Sequence, residues 1–307
     1  MTTNRAILIA GPTASGKSKL AIELAAKIDG VVINTDSMQV YRDLNILTAR
    51  PQLADLATVP HRLYGCVSGE EVYSVGRFID DARAAIAECS EARQIPILVG
   101  GTGLYFKALL DGLSPIPPIP VPVREHWRAE VRRIGAQKLH SVLNERDAEM
   151  AKRVHPSDMQ RIVRALEVLE ATGKSLAYWQ SIPGEPVISG EYAVCLVLDV
   201  EREVLHRNCE ERLERMVADG ALNEVARLAA RKLDPSLPVM RALGVQPFMA
   251  HLQKQITLEE AVEATKAETR HYIKRQLTWF RGHMSAWTWL SEEQTGILKD
   301  NISPIEK

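Results

Sequence analysis

The sequence predicts an α/β protein whose parallel β-sheet core is interrupted by an inserted all-helical domain. The chain begins with an apolar run at 6–10 that leads directly into a glycine-rich loop and an amphipathic stretch. Further apolar runs alternate with helical patterns, as expected where parallel strands are buried on both faces. A proline-rich segment at 114–122 then separates this alternation from a stretch of different character. We therefore expect two structural units in one chain.

The loop after the first apolar run fits the pattern G-x-x-x-x-G-K-[ST], which binds phosphate groups. Backbone N–H groups of such a loop converge on phosphate oxygens, its lysine adds positive charge, and its last hydroxyl can bind Mg²⁺. A predicted strand precedes the loop and an amphipathic helix follows it, which is the context that the pattern requires. The core is therefore predicted to be P-loop NTPase-like, with a diphosphate-binding loop of eight residues: Gly11, Pro12, Thr13, Ala14, Ser15, Gly16, Lys17 and Ser18.

Two further buried strands are predicted at 31–33 and 95–99, with a helix at 75–91 between them. Ligands of such sheets bind at the carboxyl ends of the strands. Asp36 follows the second strand, beside the phosphate loop. There it could bind Mg²⁺ as a Walker-B acid or act as a general base.

Proline occupies five of the eight positions 115–122, which predicts a stiff extended connector that is neither helix nor central strand. A second break at 183–186 precedes another buried strand at 192–200. The chain therefore leaves the sheet and later returns to it. We expect a catalytic core of residues 1–119 and 189–307, with the helical insertion at 120–188.

Inside the insertion, a capping pattern at 157–160 and a stop at Gly173 predict one helix. The C-terminal part is predicted to be helical at 204–231 and at 258–281, and the apolar face of the second helix is interrupted by Gln276. Residues 291–307 are expected to be a polar tail.

Composition excludes a strongly charged protein, because 38 Lys and Arg residues nearly balance 39 Asp and Glu residues. Any nucleic-acid surface must therefore be a local patch. Four cysteines, at 66, 89, 195 and 209, form no C-x-x-C pair and are expected to be reduced core thiols. No apolar run is long enough for a signal peptide or a membrane span, so we expect a soluble cytoplasmic protein.

Five motifs in this order resemble those of the tRNA dimethylallyltransferases, in their bacterial form. The resemblance implies transfer of the dimethylallyl group from dimethylallyl diphosphate to the exocyclic amine of the adenosine 3′ of the anticodon in tRNA, with release of diphosphate. It also implies that the insertion binds the anticodon stem. We expect Mg²⁺ as the cofactor, from the phosphate loop, and we expect a monomer. The motifs lie at 11–18, 36–42, 100–105, 160–168 and 274–281.

The same resemblance implies catalytic roles for four residues. Lys17 and Arg212 would stabilise the diphosphate leaving group, with Mg²⁺ on the hydroxyl of Ser18. Asp36 would accept a proton from the attacking amine, which Thr102 would help to orient.

Contacts with tRNA are implied for three stretches and for separate residues near the catalytic carboxylate. The adenosine must leave its stack to react, which is least costly in a single-stranded loop. The implied contact residues are Asp36, Ser37, Met38, Gln39, Thr102, Arg124, Gln160, Arg161, Ile162, Val163, Arg164, Met240, Arg241, Ala242, Leu243, Gly244 and Val245.

Some positions depart from the usual family pattern. Leu47 stands where the family usually has glycine, Arg50 where it has lysine, and Val245 where it has tyrosine; the segment 62–66 lacks a common acid. These departures leave the diphosphate loop and Asp36 unchanged but affect local substrate contacts.

Two functions of other classes stay open from the residues alone. A small-molecule kinase could use the same loop for ATP and Asp36 as the base for a hydroxyl acceptor. A nucleotide-switched RNA-binding module could bind the same ligands without chemistry. Within the transferase chemistry, free adenine nucleotides are an alternative acceptor that would not need the insertion.

Overall fold

The computed structural model describes residues 5–301. Within them the chain forms two compact units. One comprises the described residues up to Leu110 and from Val187 onwards, and the other is Asp111–Pro186. The first unit is α/β and the second is helical, and both boundaries lie a little before the positions expected from the proline-rich breaks.

A parallel sheet of six strands forms the centre of the first unit, in the order β3-β2-β4-β1-β5-β6. Four of the strands match predicted apolar runs, whereas β3 and β6 were not predicted because two or three residues carry no readable periodicity. The strands are β1 Ala6–Ala10, β2 Gly30–Asn34, β3 His61–Arg62, β4 Ile95–Gly100, β5 Ala193–Leu198 and β6 Thr288–Leu290.

The register of the central strands sets the position of the site. Strand β1 lies between β4 and β5, and Ala10 at its carboxyl end pairs with Gly100 of β4. Asn34, the last residue of β2, pairs with Val99. The loops that leave β1, β2 and β4 therefore begin side by side at one edge of the sheet.

Thirteen α-helices are present among the described residues. Four of them lie wholly within the second unit, and the helix before them ends at the first residue of that unit, Asp111. The helices are α1 Lys17–Ile28, α2 Leu53–Thr58, α3 Val75–Glu91, α4 Gly103–Asp111, α5 Val121–Arg146, α6 Ala148–Arg153, α7 Met159–Thr172, α8 Leu176–Gln180, α9 Arg202–Ala218, α10 Ala221–Ala230, α11 Val245–Leu252, α12 Leu258–His283 and α13 Glu292–Asn301.

Two C-terminal expectations were wrong. The helix expected at 204–231 is divided into α9 and α10 at Gly220, whose φ of 99° is left-handed and ends helical geometry. The expected tail contains α13, which begins at Glu292. The hydroxyl oxygen of Ser291, the residue before it, accepts the backbone N–H of Gln294 and so caps the helix. Residues 302–307 of that tail lie outside the described residues.

The second unit has its own hydrophobic core, formed mainly by α5, α6 and α7. Helix α7 confirms the predicted helix: the Asp158 side chain accepts the N–H of Arg161 at its start, and Gly173 ends it with a φ of 66°. The connector ends earlier than expected, because α5 begins at Val121 and includes Pro122. Proline is tolerated in the first helical turn, where its missing N–H would have no partner.

The cysteines are free, but they are not all core residues. Cys89 and Cys209 are buried and Cys195 is half-buried, whereas Cys66 is exposed, which contradicts its expected burial. None of the helices within 5–301 combines the length and apolar character that crossing a membrane requires.

Candidate active site

A pocket of about 380 Å³ opens in the first unit, next to the carboxyl ends of β1 and β2. It brings together parts of the phosphate loop, Asp36 and side chains from α9 and α12. The lining residues are Thr13, Ala14, Gly16, Lys17, Ser18, Lys19, Asp36, Gln39, Thr48, Ala49, Asn208, Arg212, Arg215, Tyr272 and Gln276.

The phosphate loop adopts the conformation that an anion site requires. Ala14 and Gly16 have φ values of 63° and 84°, both left-handed. Gly16 directly precedes the first residue of α1, so the N-terminus of that helix opens into the pocket. Backbone N–H groups and the positive end of the helix dipole together favour a phosphate group here.

Three side chains from the C-terminal helices hold the phosphate loop. Arg212 of α9 donates to Oγ1 of Thr13 at 2.6 Å, and Asn208 of the same helix donates to the carbonyl of Ala14 at 3.3 Å. Gln276 of α12 accepts the backbone N–H of Thr13 at 2.9 Å. Arg212, which was expected to act on the diphosphate, therefore lies at this loop. Asn208 was not predicted. The sequence marked Gln276 only as a polar residue that interrupts the apolar face of its helix.

Two half-buried cations, Lys17 and Arg212, share this pocket with the carboxylate of Asp36. Burial lowers the pKa of Lys17 to about 8, with nearby Arg212 lowering it further and Asp36 opposing the shift. Burial also lowers the pKa of the Arg212 guanidinium. Desolvated positive charges of this kind favour a bound anion, which restores the charge balance that burial disturbs.

Asp36 is held in one orientation by its neighbours. Its backbone N–H donates to Oδ1 of Asn34 at 2.9 Å, and its own Oδ1 accepts the N–H groups of Met38 at 2.8 Å and Gln39 at 3.3 Å. The other oxygen, Oδ2, lies 3.5 Å from the position that a Cβ on Gly101 would occupy. The carboxylate is therefore fixed through one oxygen, which leaves Oδ2 to meet a ligand.

Thr102 contacts Ser37, the residue that follows Asp36. Its hydroxyl oxygen accepts the N–H of Ser37 at 3.0 Å and donates to Oγ of Ser37 at 3.3 Å. Its backbone N–H donates to the carbonyl of Thr35 at 3.4 Å. The structure thus joins the turn after β4 to the segment that carries Asp36.

The expected tRNA-contacting residues of the second unit differ in exposure. Gln160 and Arg161 are exposed on α7, and Arg164 is partly exposed. Ile162 and Val163 belong to the hydrophobic core of the unit, so their side chains are turned away from any ligand surface. For Arg124, Nε is buried and has no hydrogen-bond partner among the described residues.

The stretch 240–245 shows the same division. Arg241 is exposed, whereas the side chains of Met240, Ala242 and Val245 are buried. In the other implied stretch, next to Asp36, the Gln39 side chain is already engaged, because its Nε2 donates to the carbonyls of Thr48 and Ala49. Only part of each implied contact stretch can therefore present a side chain to a ligand.

Two departures from the family pattern have a structural explanation. Leu47 packs against a buried cluster that includes Val225 and Phe248, so the larger side chain fills core space. The guanidinium of Arg50 occupies the position that a side chain at Gly65 would need. Both side chains are thus accommodated by packing within this chain, and neither is among the residues that line the pocket with Asp36.

The chain matches two family descriptions. A model of IPP transferase matches residues 39–283, and a model of isopentenyl transferase matches residues 4–70. The tRNA dimethylallyltransferase of Bradyrhizobium sp. (strain BTAi1) is 54% identical over 292 residues, which is 95% of each chain. The protein of the same name from Rhodopseudomonas palustris (strain CGA009) is 49% identical and covers 97% of this chain and 93% of its own.

Solved structures agree with these matches. The full-length tRNA isopentenylpyrophosphate transferase of Bacillus halodurans has a TM-score of 0.70 and 33% identity, over 97% of this chain and 95% of its own. A eukaryotic dimethylallyltransferase acting on tRNA has a TM-score of 0.81 and 29% identity, over 94% of this chain and 74% of its own. Because a family model spans most of the sequence and close relatives cover nearly its full length, the chain belongs to the IPP transferase family, as its motifs indicated.

Proposed function

We propose that this protein transfers a dimethylallyl group from dimethylallyl diphosphate to the exocyclic amine of the adenosine 3′ of the anticodon in tRNA. The observation that carries the proposal is one pocket in which the half-buried cations Lys17 and Arg212 lie at a phosphate loop and the fixed carboxylate of Asp36 lines the same space. The binding site for a leaving diphosphate and a proton acceptor thereby lie in the same pocket. The names of the relatives give tRNA and the dimethylallyl group, and the diphosphate donor and the adenosine 3′ of the anticodon follow from the motif resemblance.

On the donor side, the site is suited to a diphosphate leaving group. Negative charge grows on the bridging oxygen as the bond between that oxygen and the allylic carbon breaks. Lys17, Arg212 and the loop N–H groups are already oriented before the reaction, so they stabilise this charge without reorganising. The phosphate loop would then bind a leaving group rather than transfer a phosphoryl group.

The residues at the loop also fit a Mg²⁺ ion. Ser18 lies in the first turn of α1, is exposed, and contributes to the pocket. Among the described residues, no group of three His, Cys, Asp or Glu side chains could hold a metal ion, so most ligands would be phosphate oxygens and water. Mg²⁺ suits that arrangement. When bound, it would supply further charge stabilisation for the leaving diphosphate.

On the acceptor side, Asp36 would act as general base. The amine nitrogen forms a bond to the allylic carbon while the carbon–oxygen bond to diphosphate breaks, and the nitrogen proton passes to Oδ2 of Asp36. Thr102 and Ser37 hold the segment next to this oxygen. An aryl amine is a weak nucleophile, so a positioned carboxylate increases its reactivity.

The helical unit would bind the anticodon stem through its exposed polar side chains. Gln160, Arg161 and Arg164 lie on α7 outside the hydrophobic core of that unit. Arginine contacts with phosphates position an RNA without reading its sequence. The reacting adenosine would then be flipped out of the anticodon loop into the pocket.

We further propose that the protein acts as a monomer in the cytoplasm. Lys17, Asp36 and Arg212 meet within the first unit, so the proposed chemistry needs no residue from a second copy. The four cysteines are free thiols, which fits a reducing compartment.

A labelling experiment tests the proposed function. Unmodified tRNA is offered with dimethylallyl diphosphate labelled in the prenyl group, and separately with ATP labelled in the γ-phosphate. We expect prenyl label in tRNA only when an adenosine stands 3′ of the anticodon. Label transferred from ATP, or prenyl label on free adenine nucleotides in preference to tRNA, would overturn the proposal.

A further inference from the structure

Gln276 is a buried polar side chain whose nearest buried neighbours on α12 are apolar. Its side chain is 5% exposed, while Ile273, Leu277 and Phe280 around it on α12 are buried in hydrophobic core. Burying an amide costs free energy unless its donor and acceptor atoms are both satisfied. The environment of this amide therefore shows what the polar residue does.

Both ends of the Gln276 amide are bound to backbone groups of the pocket. Oε1 accepts the N–H of Thr13 at 2.9 Å, and Nε2 donates to the carbonyl of Gly101 at 2.9 Å. These partners lie 263 and 175 positions away in the chain. One side chain thus connects the loop after β1 with the turn after β4.

The two partners belong to different halves of the proposed reaction. Thr13 lies in the diphosphate loop, where its hydroxyl also accepts the hydrogen bond from Arg212. Gly101 directly precedes Thr102, and a Cβ on Gly101 would stand 3.5 Å from Oδ2 of Asp36. The amide therefore joins the group that holds the leaving diphosphate to the group that accepts the amine proton.

The fit around Gly101 is tight enough to constrain the amide. A Cβ at this position would overlap Nε2 of Gln276. The absence of a side chain at Gly101 is what lets the amide approach the carbonyl. At the other end, the N–H of Thr13 is committed to Gln276, so phosphate binding falls to the later N–H groups of the loop.

We infer that Gln276 is a positioning residue that sets the separation between the diphosphate loop and the Asp36–Thr102 side of the pocket. This inference rests on the proposed function, because it assigns the two halves to donor and acceptor. Each half binds its own ligand through other residues, so Gln276 acts on their relative placement. A misplacement of about 1 Å between reacting groups can lower a rate by about a hundredfold.

Two variants remove the bridge from opposite sides. Gln276→Met keeps the length of the side chain but removes both hydrogen bonds. Gly101→Ala keeps Gln276 but fills the space that its amide occupies. Thr265→Val is the matched control, because Thr265 is also a buried polar residue of α12. Among the described residues, its hydroxyl donates to the carbonyl of Ala261 within the same helix and to no group of the pocket.

Three quantities are measured for each protein: the single-turnover rate of prenyl transfer, the affinity for inorganic diphosphate, and the affinity for unmodified tRNA. We expect Gln276→Met and Gly101→Ala to lower the rate by about 30-fold to 100-fold, with each affinity within about threefold of wild type. The control should keep all three. The double variant should lose little more than the worse single variant, because both changes break the same bridge.

Other outcomes overturn the inference. Rates of both variants within about threefold of wild type would do so. Parallel losses of the rate and of both affinities would show a structural role instead, as would additive losses in the double variant. If wild-type protein transfers no prenyl group, the proposed function fails and this inference fails with it; normal wild-type transfer with unimpaired variants overturns the inference alone.

Discussion

Glu224 accepts a hydrogen bond from the backbone N–H of Leu47 at 2.9 Å, across 177 positions of sequence. The same carboxylate, 2% exposed on α10, also accepts the N–H groups of Asn45 and Ile46. Three N–H groups thus converge on one buried acidic side chain. The segment that they fix continues to Thr48 and Ala49, which line the pocket.

Replacement of Glu224 by Gln should destabilise the protein. A glutamine offers one acceptor oxygen and turns an NH₂ group towards backbone donors, so at least one buried N–H loses its partner. The expected loss in the free energy of unfolding is about 2 kcal/mol. Chemical denaturation measures it.

Glu263→Gln is the control for this change, since Glu263 is an exposed carboxylate paired with Lys266. Surface pairs of this kind contribute little, so its unfolding midpoint should stay near that of wild type. Equal stability of the two variants would contradict the role given to Glu224.

Asp36→Asn should separate the general-base role from binding. The asparagine oxygen can still accept the N–H of Met38, so the segment keeps its shape while the proton acceptor is lost. Transfer should slow by about 10²-fold to 10⁴-fold, with tRNA affinity retained. Thr102→Ala should have a smaller effect, because it removes an orienting hydroxyl and leaves the base.

A series of Mg²⁺ concentrations tests the alternative for Asp36. If this carboxylate serves only to hold the metal, Asp36→Asn should weaken Mg²⁺ and diphosphate binding, and excess Mg²⁺ should restore activity. Single-turnover rates measure the effect. Recovery of a rate near that of wild type would contradict the general-base role.

Lys17 should make diphosphate binding depend on pH. Because burial lowers its pKa to about 8, the free protein carries a cation here below that pH and a neutral amine above it. Diphosphate prefers the cation, so affinity should be full below about pH 8 and fall as the pH rises through that value. Calorimetric titration with inorganic diphosphate measures this dependence.

Lys17→Met supplies the reference for that titration, because ionisation of the ligand itself affects both proteins equally. The variant should bind diphosphate weakly throughout and transfer slowly, while its tRNA affinity stays unchanged. A wild-type profile parallel to that of the variant would show that Lys17 does not titrate. A loss of tRNA affinity as large as the loss of turnover would contradict the separation of leaving-group and RNA binding.

Arg161→Ala and Arg164→Ala should weaken tRNA binding and reduce its salt dependence. Arg161 is 73% exposed beside Asp158, and Arg164 is 42% exposed beside Glu167, so both can reach a phosphate. Each lost phosphate contact should lower the slope of log affinity against log salt by about one unit. Filter binding across a salt series measures the slope.

Arg133→Ala is the control, since Arg133 is a 68% exposed arginine of the same unit with an acidic neighbour, Glu130. It should leave tRNA binding unchanged, and none of the three changes should alter affinity for dimethylallyl diphosphate. Normal tRNA binding by the Arg161 and Arg164 variants would mean that α7 is not the RNA-binding surface.

Local signals in the sequence were sufficient to predict the main strands and helices of the fold. The apolar run at 6–10 and the loop that follows it predicted β1, the phosphate loop and α1, because hydrophobic periodicity and glycine positions act over a few residues. The prolines at 115–122 likewise predicted a break, since each removes a backbone donor wherever it stands. Short strands such as β3 were not predicted, because they become strands by pairing with a neighbouring strand and not through a residue pattern of their own.

Only the tertiary structure decided how distant side chains meet. Asp36 and the phosphate loop could be placed at one sheet edge from strand order, but the three N–H groups on Glu224 and the two backbone partners of Gln276 could not. Their partners lie more than a hundred positions away in the chain. No local pattern distinguishes Glu224 from a solvated glutamate, or Gln276 from a polar residue that merely interrupts an apolar helix face. The sequence determined which chemistry is available, whereas the packing of α10 and α12 against the loops determined its geometry, because burial makes each unpaired polar group costly.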